Sequence, residues 1–342
     1  VGFDPEENTW EVIVKHSRPL EGLEGMGVKQ VELLNQYSIL TVPESKLEEV
    51  SRLPQVEYME KPKRLYFSVG LAKTASCITY VQVEGSSYSP YLTGRGCLVA
   101  VIDSGIDYFH DDFRNSDGTT RILELWDQTL DRVFTAQEIN EALKKGGRRE
   151  ARQVVPSVDS SGHGTAVAGI AAGNGRESDG LYRGVAFESQ LLVVKLGVTN
   201  PLGFPRTTEL MRALDYVVRR AAKLGMPAAV NVSIGNTYGS HDGTSLLETY
   251  IDGISNYGRN IIVIGAGNEG ASGGHVSGVL ANLPEGISGE VGSTRIPLTV
   301  GEYETGLNLQ IWKSYVDEFT IQLITPRGER FGPFSRAQPV SR

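Results

Sequence analysis

Ser161-Gly162-His163-Gly164-Thr165-Ala166-Val167-Ala168-Gly169-Ile170-Ala171-Ala172-Gly173 opens a helix with a histidine and continues it almost wholly in small residues. A histidine at a helix N-terminus faces the positive end of the macrodipole, which disfavours the charged ring and keeps it available as a base. Gly162 and Gly164 are expected to leave the ring open on both sides, and Ala166, Ala168 and Gly169 to let the helix lie close on a sheet. Two further segments share this character. Val101-Ile102-Asp103-Ser104-Gly105-Ile106-Asp107 puts an aspartate at the end of a buried strand, where its carboxylate can accept the Nδ1–H of a neighbouring imidazole. Ile261-Ile262-Val263-Ile264-Gly265-Ala266-Gly267-Asn268-Glu269-Gly270 puts an asparagine just past another strand, where a glycine-flanked amide can donate to a developing oxyanion.

Around these segments, from about residue 95, the chain alternates strand, loop and helix. Cys97 to Ile102 is a continuous apolar run of the kind found in buried parallel strands, and so are Leu191 to Lys195, Ala228 to Ile234 and Ile261 to Ile264. Thr208 to Leu224 reads as a helix with Met211, Leu214, Val217, Val218 and Ala221 on one face and Gly225 just past its end. The fold class is therefore α/β, a parallel sheet flanked by helices with ligands at the carboxyl ends of the strands. Residues 104 to 160 read as a long excursion, in which Thr135-Ala136-Gln137-Glu138 has capping-box spacing and starts a helix.

The first 70 residues form a unit of different composition. Trp10 to Lys15, Ser38 to Val42 and Val56 to Glu60 read as strands; Val28 to Gln36 has the spacing of a short helix with Val31 and Leu34 inward, and Pro43 opens another helix that Pro54 ends. A small α+β unit fits this order. After residue 290, Ile296 to Val300, Leu307 to Trp312 and Glu318 to Ile324 read as short alternating strands, the start of an all-β unit. The expected division is residues 1–70, 71–290 and 291–342.

Net charge is −8, which argues against nucleic acid as the main partner, because phosphate binding relies on clustered Lys and Arg. No apolar run has the length of a membrane span. The two cysteines, Cys77 and Cys97, make no disulfide framework and are expected to be small buried thiols. The five histidines are scattered, so no metal site is expected. Gly265 to Gly270 formally satisfies GxGxxG, yet Ala271-Ser272-Gly273-Gly274 is a poor opening for the helix that a dinucleotide fingerprint needs. The chain opens at Val1 rather than Met and is expected to be processed or a piece of a longer protein.

The three segments, in this order, resemble those of the subtilisin-like serine proteases, the subtilases. The resemblance implies that Asp103 is the catalytic Asp, His163 the general base and Asn268 the oxyanion donor. Substrate would bind along Ser233, Ile234 and Gly235 and along Gly265, Ala266 and Gly267. It also makes the first 70 residues a propeptide, at once chaperone and inhibitor. The propeptide, the segment after Asp103 and the β unit, which would begin a jelly-roll-like insertion, are most similar to the Csp proteases of clostridial spores. That likeness implies a self-processing zymogen acting on peptide or protein, with a cortex-lytic proenzyme as expected partner, in the spore or outside the cell. It implies no membrane association and no required cofactor; calcium is compatible with the family, but no loop here has convincing ligand spacing. The nucleophile segment, Gly-Thr-Ser-x-Ala, is not found: Gly243-Thr244-Ser245 precedes the Asn and is followed by two leucines, and Ser245-Leu246-Leu247-Glu248 is a capping box. The chain is thus expected to lack its nucleophile, and the alternative is a pseudoprotease acting as sensor or scaffold.

Overall fold

The computed structural model describes residues 2–5, 7–62, 66–67, 78–82, 85, 90–198, 204–270, 272–279, 295–301 and 306–335. They fall into two units: residues 1–237 with 242–277, and residues 238–241 with 278–342.

The first unit begins with a five-stranded antiparallel sheet of β1 (Phe3–Asp4), β2 (Thr9–His16), β3 (Lys29–Leu33), β4 (Tyr37–Pro43) and β5 (Val56–Glu60). The short helix α1 (Leu47–Ser51) covers one face, burying Val50 against Val12, Val14, Leu40 and Val42. The other face of the sheet presents Ile13, Leu33, Tyr37 and Ile39, as the two-residue period of a strand requires. The segment expected as a helix at Val28 to Gln36 is instead β3 followed by a short 3-10 turn. Its spacing of Val28, Val31 and Leu34 fits a helix, but antiparallel pairing with β4 satisfies its backbone, and Val31 is left exposed.

After the two-residue strand β6 (Tyr66–Phe67) comes a six-stranded sheet in the order β13-β11-β7-β10-β8-β9. Its strands are β7 (Leu98–Asp103), β8 (Ile122–Asp127), β9 (Arg132–Thr135), β10 (Gln190–Lys195), β11 (Ala228–Val232) and β13 (Asn260–Ile264); β12 (Ile234–Gly235) pairs elsewhere. All neighbours are parallel except β9, an antiparallel edge. The expected excursion therefore contains two strands of the main sheet. Glu124 interrupts the apolar run of β8; its charge is met by Arg220 and by the Tyr216 hydroxyl, both from a distant helix.

Helices α2 (Ala136–Leu143), α3 (Arg148–Ala151) and α4 (His163–Ala172) belong to one side, where Val167, Ala168 and Ala172 join Val99, Val101, Leu191 and Val193 in a core. Helices α5 (Thr207–Leu224) and α6 (Leu246–Ser255) cover the other side, sharing a core with Leu98, Ala100, Ile102 and the inner face of the N-terminal sheet. That N-terminal sheet is held to α5 and α6 by polar contacts as well. Asp215 accepts from the Leu34 N–H at 2.8 Å, Glu60 accepts from the Leu246 N–H at 3.0 Å, Tyr37 and Thr249 share a hydroxyl bond, and Arg206 bridges Glu11 and Glu209.

In the second unit β14 (Ile321–Ile324) and β15 (Arg330–Phe334) form an antiparallel hairpin, and the Gly239 N–H donates to the Gln310 side chain. Residues 296–300 and 307–312, expected as strands, are not strands among the described residues. Alternation makes a segment amphipathic, but a strand exists only where a neighbour takes its backbone hydrogen bonds. Cys97 is half-buried rather than buried, and Cys77 lies outside the described residues.

Candidate active site

Strand β7 lies inside the sheet, with β10 on one side and β11 on the other, so the chain reverses its direction of winding around it. Such switch points open a crevice at the carboxyl edge. Asp103 ends β7 there and is fully buried. Helix α4 begins with His163, and the structure brings the two together: His163 Nδ1 lies 2.6 Å from Asp103 Oδ1. Nδ1–H donates to the carboxylate, which leaves Nε2 as the ring's acceptor.

Two glycines make this approach possible, for reasons other than an open ring. Gly162, just before α4, has φ of +75°, a left-handed conformation that L side chains rarely adopt. Gly164 is buried, and a Cβ there would stand 2.2 Å from the Gly105 carbonyl oxygen and 3.1 Å from Asp103 Cβ. The helix start thus rests directly on the backbone after β7. Ala166, expected to face the sheet, is exposed; Gly164, Val167, Ala168 and Ala172 form the buried face.

Burial pushes the Asp103 carboxyl above its ordinary value, and hydrogen bonds from His163 and from the Ser104 N–H hold it back. Asp103 Oδ2 is buried without a hydrogen-bond partner among the described residues. Nearby, Asp159 accepts from Ser104 Oγ at 2.8 Å, Gly162 N–H at 3.0 Å, Thr165 N–H at 2.8 Å and Thr165 Oγ1 at 2.6 Å. Sequence reading missed Asp159, because an aspartate in a serine-rich turn is ordinary turn chemistry. It also missed Arg121, buried at the far end of α4. Its guanidinium donates to the carbonyls of Ala172, Asp112 and Ser189, and burial pulls its pKa down to about 10.

Asn268 lies on the exposed loop after β13, at the same sheet edge as Asp103 and two strands away. Gly265, Ala266 and Gly267 precede it, Gly267 with φ of +92°. Ser233 Oγ accepts from the Asn231 amide, and Ile234–Gly235 pair antiparallel with Tyr66–Phe67, so an extended segment of the chain itself lies along this strand. Ser245 caps α6 through a complete capping box. Among the described residues no group of three or more His, Cys, Asp or Glu side chains is placed to hold a metal ion. No helix there is long and apolar enough to cross a membrane.

The structure thus combines a largely parallel α/β sheet with a buried Asp–His pair at its carboxyl edge. The model of the subtilase family, peptidase S8, matches residues 94–341, and that of the Csp protease B prodomain matches residues 1–63. The chain belongs to the subtilase family. It is 26% identical over 260 residues to subtilisin of Bacillus sp. strain TA39, covering 75% of this chain and 53% of that protein. It is 28% identical over 218 residues to the minor extracellular protease Vpr of Bacillus subtilis strain 168, covering 62% of this chain and 23% of that one. The solved CspB protease of Clostridium perfringens is 40% identical, with a TM-score of 0.53, covering 58% of this chain and 40% of that chain. The chain thus spans about half or less of the length of these relatives.

Proposed function

We propose that this protein is a serine endopeptidase, made as a self-processing zymogen, that hydrolyses peptide bonds by an Asp-His-Ser triad. The bond between His163 Nδ1 and Asp103 Oδ1, 2.6 Å long, carries this reading. A serine Oγ attacks the scissile carbonyl while His163 Nε2 takes its proton, then returns it to the leaving amine. Asp103 fixes the tautomer and stabilises the imidazolium, and Asn268 donates to the oxyanion. Substrate lies along Ser233 to Gly235 and Gly265 to Gly267, and the antiparallel pairing of Tyr66–Phe67 with Ile234–Gly235 supports this placement. Residues 1–70 act as the propeptide, residues 71–290 as the catalytic part and residues 291–342 as the start of a β-rich insertion. The propeptide is cut between Glu60 and Ser76, a window mostly outside the described residues.

The match to a Csp prodomain supports a role in spores, with a cortex-lytic proenzyme as substrate. Fluorophosphonate labelling of the full-length protein tests the activity, since the probe reacts only with an activated serine. Labelling and self-processing are expected, and both are lost in His163→Ala. A folded wild type that neither labels nor processes returns the pseudoprotease reading.

A further inference from the structure

The catalytic pair sits on two separate elements, and one residue outside the proposed triad joins them. Ser104, next to Asp103, donates its N–H to Asp103 Oδ1 at 2.7 Å, while its Oγ accepts from the Gly164 N–H in the first turn of α4 at 2.9 Å. The Ser104 hydroxyl proton is directed to Asp159 Oδ1. Asp159 Oδ1 also takes the Gly162 N–H, and Oδ2 takes both the Thr165 N–H and the Thr165 hydroxyl. Thr165 Oγ1 in turn accepts from the Asp107 N–H at 2.8 Å, which ties the loop after β7 to the same carboxylate. Ser161 Oγ adds to the cluster, donating to Ser104 Oγ at 2.8 Å and accepting from the His163 N–H at 3.1 Å.

We propose that Asp159 is a positioning residue for the proton transfer, acting through Ser104 and the first turn of α4 to fix His163 against Asp103. This rests on the reading of Asp103 and His163 as the catalytic pair. Each Asp159 oxygen receives at least two donors, one of them a backbone N–H that cannot reverse its direction. An ionised carboxylate, acceptor at both oxygens, satisfies all of them. Asparagine has the same shape but must turn its NH₂ toward either Gly162 or Thr165, donor against donor. The hydrogen bonds outweigh burial and keep the Asp159 carboxyl below its ordinary range, so the ionised form persists at neutral pH.

The test reads the dyad itself, by the NMR resonance of the His163 Nδ1 proton in the whole chain. Wild type should give a downfield resonance that His163→Ala removes. In Asp159→Asn that resonance should vanish, or its exchange with water should quicken by about tenfold or more, as loss of one hydrogen bond implies. Ser104→Ala, which keeps Asp159 and its bonds to Gly162 and Thr165, should move it in the same direction. Val50→Ala, a core truncation on α1 where it packs against the N-terminal sheet, should destabilise the protein and leave the resonance in place. An unchanged resonance in folded Asp159→Asn overturns the proposal. Should that variant fail to fold, an unchanged resonance in Ser104→Ala overturns it. If wild type and His163→Ala look alike, the catalytic pair itself is misassigned and the proposal falls with it.

Discussion

Asp103 carries its charge where burial disfavours it, with one oxygen bonded to His163 and Ser104 and the other bonded to nothing among the described residues. A carboxyl whose pKa is raised on folding costs stability once pH exceeds the unfolded value of 3.8, and that cost disappears as pH falls below it. Asparagine keeps an oxygen for His163 and places its NH₂ where no hydrogen bond is lost. Asp103→Asn should therefore raise Tm at pH 7. The difference should shrink below about pH 4, as thermal melts across pH will show. In the full-length enzyme the same change should lower kcat by about 10⁴-fold. Asp103 and His163 were legible from sequence because each sits in a distinctive setting, a strand end and a small-residue helix start. Asp159 was not, since its importance lies in the direction of donors from Ser104, Gly162 and Thr165, the first and last of them beyond its own turn.

Helix α4 is fastened at both ends, by backbone contact and Asp159 at its start and by Arg121 at its last carbonyl. The two glycines at its start should respond differently to alanine. At Gly164 the new methyl would strike the Gly105 backbone, which cannot step aside, and should cost about 3 kcal/mol. At Gly162 it meets open space and pays only for the left-handed backbone, about 1 kcal/mol. Urea denaturation of the two variants gives the comparison. Elements with a strong private signal, such as α5 with its apolar stripe and terminal glycine, were legible along the chain. Strand β3 was not, because its hydrogen-bond partner in β4 decides its state and its own spacing suits a helix equally well. Strand β8 was hidden by Glu124, whose partners on α5 lie more than ninety residues away.

Across the whole first unit, the N-terminal sheet rests on α5 and α6 with Glu11 and Glu209 sharing the Arg206 guanidinium. Burial, then the Glu209 charge, raises the Glu11 carboxyl above its ordinary 4.5. Docking of this sheet is therefore weakened as pH rises through that raised value and is strongest below it. Glu11→Gln removes the penalty: thermal melts should find it more stable than wild type at pH 7.5, with the gap closing toward pH 4.5. The pairing of Tyr66–Phe67 with Ile234–Gly235 carries a different consequence. Main-chain hydrogen bonds read no side chains, so that strand offers the same ladder to any extended peptide. Its present occupant is tethered, and a tether of this kind amounts to a local concentration of about a millimolar. On the proposed reading of Ser233 to Gly235 as the substrate strand, an incoming peptide must outcompete that figure, whatever its sequence.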